Sequence, residues 1–172
     1  QPLERLAITI NYDKAPRVPT VHMGSRTTSY ILRGVSTPKT SFDKAFREDH
    51  WFNISAIDVF DLTAKSIAII GNSITDGKNS TNNAQNRWPD ILSESLQKKH
   101  GVTDVGILNL GIGNNRVTLT GGFGFMARKR FDHDILLQRG VRTVVIFEGV
   151  NDIGATPNNK VEAVTNDLIQ SY

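Results

Sequence analysis

Three apolar runs of strand length, each followed at its end by a glycine, most constrain what this chain can fold into. They are "SIAIIG" (Ser66–Gly71), "DVGILNLG" (Asp104–Gly111) and "VRTVVIFEG" (Val141–Gly149). None alternates apolar with polar residues, as a strand with one wet face would. Each therefore reads as a strand covered on both sides, which is the signature of a parallel sheet between helices. The connecting segments supply those helices. "RWPDILSESLQKKHG" (Arg87–Gly101) has Pro89 near its first turn and Gly101 at its end. "ARKRFDHDILLQRG" (Ala127–Gly140) and "NNKVEAVTNDLIQSY" (Asn158–Tyr172) read as two more. Right-handed crossovers put the 66–70 strand between those near 105–109 and 143–148, all parallel.

The expected fold is α/β, a flavodoxin-like three-layer α/β/α arrangement around a parallel sheet, preceded by a β-rich segment. Three strands are few for such a sheet, and the chain stops while a helix is still running. It is read as truncated, with residues 63–172 forming the N-terminal part of the α/β domain. Residues 1–62 are rich in Thr, Ser, Val and Ile, with Pro16, Pro19 and Pro38 as turn residues. "RLAITINY" (Arg5–Tyr12), "TTSYILRG" (Thr27–Gly34) and "HWFNISAIDVF" (His50–Phe60) read as strands of a β-sandwich-like domain. Trp51 or Phe52, Ile54, Ile57 and Val59 are its core candidates, and no helix is expected there.

Composition removes several classes of function. Net charge is +3 with Lys and Arg scattered, and the densest cluster, "ARKR" (Ala127–Arg130), reads as a solvated helix start. That is no nucleic-acid footprint. There is no cysteine, hence no disulfide, thiolate metal site or cysteine nucleophile. No apolar segment approaches the ~20 residues a membrane-spanning helix needs. The chain starts at Gln1 rather than Met and carries no signal peptide; it is read as processed or trimmed, from a secreted or periplasmic protein.

In an open parallel sheet, ligands sit beyond the carboxyl ends of the strands. Three loops stand there: "GNSITDG" (Gly71–Gly77), "GIGNNR" (Gly111–Arg116) and "GVNDIG" (Gly149–Gly154). The first is no P-loop, because five residues separate its glycines and Asn79 follows Lys78 where a magnesium-binding hydroxyl belongs. The second is no dinucleotide fingerprint, because Arg116 stands at the third glycine position. A serine nucleophile fits better. Ser73 lies just after a strand end, at the start of a helix, exposed and near aligned backbone donors. It is not the nucleophile elbow of G-x-S-x-G, since Thr75 replaces the second glycine. Backbone N–H groups around Gly113 and Asn114 and the side-chain amide of Asn151 are candidate donors to an oxyanion.

"GNSITDG", "NLGIGNN" and "GVND" resemble, in order and spacing, the first three blocks of the SGNH hydrolases, the GDSL esterase/lipase family. "TDGKNSTNNAQNRWPDIL" (Thr75–Leu92) and "RFDHDILLQRGVRTVVIFEGVNDIG" (Arg130–Gly154) extend the likeness. "HMGSRTTSYIL" (His22–Leu32) resembles the end of the β-rich domain that precedes the hydrolase in one bacterial branch. The resemblance implies Ser73 as nucleophile, its own N–H also serving the oxyanion hole. It implies the second-block glycine at Gly113 or Asn114, Asn151 as third donor, and Asp76 and Asp152 as organisers of the loops. It implies no metal or cofactor.

Three departures stand out. Asn72 occupies the position of a structural aspartate, Gly113-Asn114 replaces the usual Gly-Gly, and the C-terminal Asp-x-x-His block that supplies the base lies outside the chain. Asn114 tolerates left-handed backbone better than most residues. His22, His50, His100 and His133 are all expected away from the catalytic edge, and His133 is not expected to pair with the flanking Asp132 or Asp134. The reading is a serine esterase acting on an acetyl or short acyl ester, of a small molecule or a polysaccharide. The 172-residue chain alone is expected to be inactive for lack of a base. The rival reading is a catalytically degenerate carbohydrate-binding protein. Oligomeric state is not legible.

Overall fold

A computed structural model describes residues 3–34 and 41–172; Pro38 lies outside the described residues. In the leading part, β1 (Val21–His22) pairs antiparallel with β4 (Trp51–Phe52), and β2 (Ser29–Ile31) with β3 (Phe46–Glu48). The strand expected over Arg5–Tyr12 does not form, and of His50–Phe60 only Trp51–Phe52 is extended in a ladder. The reason is a lack of partners: the alternating Leu6, Ile8 and Ile10 are exposed, as are Ile57 and Val59, so two of the core candidates are not core. Trp51, Phe52 and Ile54 are half-buried. No helix occurs among the described residues before Ser73.

The second part follows the apolar runs. After β5 (Lys65–Gly71) come α1 (Ser73–Asp76), α2 (Trp88–His100) and β6 (Val105–Gly111). Then follow α3 (Ala127–Phe131), a π-helical turn (Asp132–Leu136), β7 (Val141–Phe147), α4 (Val150–Gly154), a 3-10 turn (Asn158–Lys160) and α5 (Val161–Ser171). The sheet is fully parallel in the order β6-β5-β7, with β5 central as expected. Gly71 is level with Gly111 on one side and Phe147 on the other, so all three following loops leave one edge at one height.

Residues Ala68, Ile69 and Ile70 of β5 are 0%, 0% and 1% exposed, which only layers on both faces can achieve. Ala68 and Ile70 pack with Val117, Ala127, Ile135, Val164 and Leu168, so α3 and α5 cover that face. On the other, Trp88 of α2 meets Phe147 edge to face at 6.3 Å. The chain is thus an α/β fold. Helix α2 carries the predicted punctuation: the Arg87 N–H donates to Asp90 Oδ2 at its start, and Gly101 ends it at φ 66°. The helix expected over Ala127–Gly140 is shorter than its pattern. It widens to π at Asp132, and the Leu137 N–H closes on the Asp132 carbonyl at 2.9 Å.

Candidate active site

Asn72 opens the first loop by capping α1. Its side-chain oxygen accepts the Ile74 N–H at 3.0 Å, while its amide reaches the Phe147 carbonyl at 3.5 Å. Asparagine caps a helix about as well as aspartate, so the departure at this position keeps the turn. Ser73 is then the first helical residue. It is half-buried, and its hydroxyl has no partner among the described residues. Gly71 is required here, since a Cβ on it would overlap the Thr75 side chain.

The second loop is bound to the first through Asp76. The Gly113 N–H donates to Asp76 Oδ2 at 3.0 Å, and Asn109 Nδ2 donates to the Thr75 carbonyl at 2.9 Å. Of the two candidate backbone donors, Gly113 is therefore committed. Asn114 sits at φ 54°, in the left-handed region that asparagine tolerates, and no acceptor among the described residues takes its N–H.

The third loop is bound to the second through Asn151 and Asp152. Asn151 Nδ2 donates to the Asn115 carbonyl at 2.8 Å, which leaves its second amide hydrogen uncommitted. Asp152 is fully buried and accepts the N–H groups of Val117, Thr118 and Leu119 at 2.9, 2.9 and 3.1 Å, plus the Thr118 hydroxyl. Both carboxylates expected to organise loops thus bridge one loop to another.

Two buried charges lie beneath the loops and escaped the sequence reading. Arg130, placed in a solvated cluster, is 5% exposed. It donates to Asn115 Oδ1, to the Leu110 and Gly71 carbonyls that end β6 and β5, and to Asp134 Oδ2 at 2.8 Å. Only its place one turn after Ala127, on the apolar face of α3, could have marked it. Glu148 has a side chain 0% exposed, with Arg130 Nη2 at 3.8 Å and no hydrogen bond to either carboxyl oxygen. Burial pushes its carboxyl up to about 7; Arg130 opposes this, and Asp152 adds to it. Its signal was an acid closing the apolar run "VVIF".

The histidines divide. His50 donates to the Met23 carbonyl within the leading part, and His100 is exposed in the last turn of α2. His133 does pair with Asp134, at 2.8 Å, because an imidazole 82% exposed is free to turn back on its neighbour. His22 overturns the expectation for it. It stands at the carboxyl edge of the sheet, where the three loops leave it, its Nε2 donating to Asp76 Oδ1 at 2.6 Å. Among the described residues no three His, Asp or Glu side chains group as metal ligands, and no helix is long and apolar enough to cross a membrane.

Residues 69–170 match the GDSL-like Lipase/Acylhydrolase family, a span of more than half the chain that takes in all three loops. The chain belongs to that family. Comparison with curated proteins gives no match. Among solved structures it is similar to AlinE4, an SGNH-hydrolase family esterase, at 16% identity and TM-score 0.46, over 62% of this chain and 52% of that one. It is also similar to a protein assigned to the G-D-S-L lipolytic family from Desulfitobacterium hafniense DCB-2, at 22% identity and TM-score 0.42, over 62% and 51%. The chain thus spans about half the length of these proteins.

Proposed function

We propose that this chain carries the nucleophile and the oxyanion-hole donors of a serine esterase acting on acetyl or short acyl esters of a small molecule or a polysaccharide. In this reading residues 63–172 are the N-terminal part of an SGNH hydrolase domain, and residues 1–62 are a β-rich leading segment. Ser73 Oγ attacks the ester carbonyl. The oxyanion is met by the N–H groups of Ser73 and Asn114 and by the free amide hydrogen of Asn151. The acyl-enzyme formed as the alcohol leaves is then hydrolysed by water. None of the four histidines hydrogen-bonds Ser73, so the proton acceptor is assigned to an Asp-x-x-His block outside residues 1–172. No metal or cofactor takes part in the scheme.

The observation that carries this reading is one pairing of freedom with restraint. The Ser73 hydroxyl and the Asn114 N–H are unengaged, whereas the groups around them are each bound across loops through Asp76, Asp152 and Asn151. Such preorganisation is what stabilising a transient charge requires. The capping role of Asn72 also weighs against a degenerate site. The test is hydrolysis of p-nitrophenyl acetate and butyrate by the full-length protein, its Ser73→Ala variant and the 1–172 chain. Ser73→Ala should lower kcat by about 10⁴-fold or more. The 1–172 chain should show at most the ~10³–10⁴-fold enhancement over water that an oxyanion hole and binding give without a base. Full activity in Ser73→Ala overturns the assignment.

A further inference from the structure

The contact between the leading segment and the first sheet loop is more than docking. A single buried carboxylate, Asp76, receives His22 Nε2 on one oxygen at 2.6 Å and the Gly113 N–H on the other at 3.0 Å. Asp76 lies one helical turn after Ser73, and Gly113 is the residue before Asn114. The leading segment is therefore two hydrogen bonds away from the turn that presents the Asn114 N–H.

We propose that His22 is a positioning residue of the hydrolytic site, holding the Gly113–Asn114 turn in register with Ser73 through Asp76. The proposal rests on the reading of Asn114 as an oxyanion donor.

Three further observations support it. Gly24 lies so close to Asp76 that a Cβ would overlap its carboxyl group, so the β1 turn is shaped to seat this carboxylate. Trp51, paired with His22 across β1 and β4, meets the imidazole edge to face at 5.8 Å and limits its orientations. The turn is itself anchored on the sheet side, because Arg87, at the start of α2, donates to the carbonyl of the fully buried Ser25. An ionised carboxylate only accepts, so the Nε2 proton faces Asp76. The second bond matters because Asn114 stands in left-handed backbone at φ 54°, which asparagine tolerates better than most residues but does not prefer, so the turn depends on the bonds that hold it. Freed from Asp76, the turn can relax and carry the Asn114 N–H away from the oxyanion position.

The experiment compares full-length protein with its His22→Ala, His22→Gln, Gly24→Ala and Ser73→Ala variants, below the melting temperature of each. His22→Ala should lower kcat about tenfold or more while KM moves less than about threefold, the mark of a displaced transition-state contact. Glutamine can donate its amide hydrogen to Asp76 and should recover most of the rate; Gly24→Ala should act as His22→Ala does. The Gly113 amide resonance should move in His22→Ala and return in His22→Gln. A lowered melting temperature with unchanged kcat and an unmoved Gly113 resonance would make His22 a purely structural contact and overturn the proposal. Loss as complete as that of Ser73→Ala, with no recovery in glutamine, would also overturn it by making His22 the proton acceptor. Should Ser73→Ala retain activity, the esterase reading fails on its own, and the Gly113 resonance still decides whether His22 controls the turn.

Discussion

The two halves of this molecule contain similar apolar residues and treat them differently. In the sheet half, consecutive residues of β5 are sealed from water, and the loops are tied down through Arg130, Asp152 and Asp76. In the leading half, Leu6 and Val59 are 69% and 82% exposed, and the ladders are two or three residues long. Two-stranded ladders of that size are marginal alone. What secures them is the 82–87 loop of the other half. The Asn83 N–H donates to the Arg26 carbonyl, Asn83 Oδ1 accepts the Thr28 N–H, Gln85 donates to Thr27, and Arg87 donates to Ser25. Stability thus flows from the sheet half outward, and position flows back through His22.

The harshest way to break that comparison is to remove one cation from each half. Arg130→Met leaves Asp134 and Glu148 without their buried partner and removes the side-chain donor to the Leu110 carbonyl. It should cost about 3–5 kcal/mol, the usual penalty for breaking a buried charge pair. Arg47, whose guanidinium lies 5.5 Å from the Tyr30 ring centre in the leading half, should cost no more than about 1 kcal/mol when changed to alanine. Denaturant melts of both variants decide it. Equal losses would mean that the halves share one cooperative core.

How much of this was legible in the sequence follows from the same contrast. Unbroken apolar runs such as "IAII" can be satisfied in few ways, so strand, neighbour order and the level of the loops could all be read. The loops and their candidate donors followed from their place at the strand ends, a family likeness implied their roles, and only the structure shows that the Gly113 N–H is taken by Asp76. "RLAITINY" failed because alternation states which face a strand would bury, not whether a partner exists. Arg130 failed because a charge in a basic cluster looks solvated until the carbonyls it serves are located. His22 failed because a contact across fifty-four residues leaves no local trace.

A gentler test confines the pH sensitivity of folding to the sheet half. Glu148 has a folded-state pKa of about 7 against 4.5 for an ordinary glutamate, owing first to burial. The folded protein therefore holds a proton that the unfolded chain releases. The stability this contributes is complete below about pH 4.5, falls as pH rises toward 7, and then stays lost. The shift corresponds to a loss on the order of 3 kcal/mol. Glu148→Gln should remove this pH dependence, melting higher than the parent at pH 8 and equally at pH 4.5. Melting curves that stay parallel across that window would show that Glu148 does not titrate in it.

The smallest expected effect comes from placing at position 72 the aspartate that the resemblance of the first block implies there. As a cap, Asp would serve α1 as Asn72 does, accepting the Ile74 N–H. It cannot donate, so the 3.5 Å contact to the Phe147 carbonyl is lost, and that contact is already long. The added charge matters more. The neutral Asn72 amide puts no like charge beside Glu148, whereas a carboxylate in its place would oppose the ionised form of that acid. Asn72→Asp should therefore cost about 1 kcal/mol at pH 8, a fall of about 2–4 °C in melting temperature for a domain of this size. Near pH 5, where Glu148 holds its proton, the cost should shrink to a few tenths. Higher stability in Asn72→Asp at pH 8 would mean that position 72 does not sense Glu148. The neutral residue there would then be a tolerated departure rather than an adjustment to the buried acid next to it.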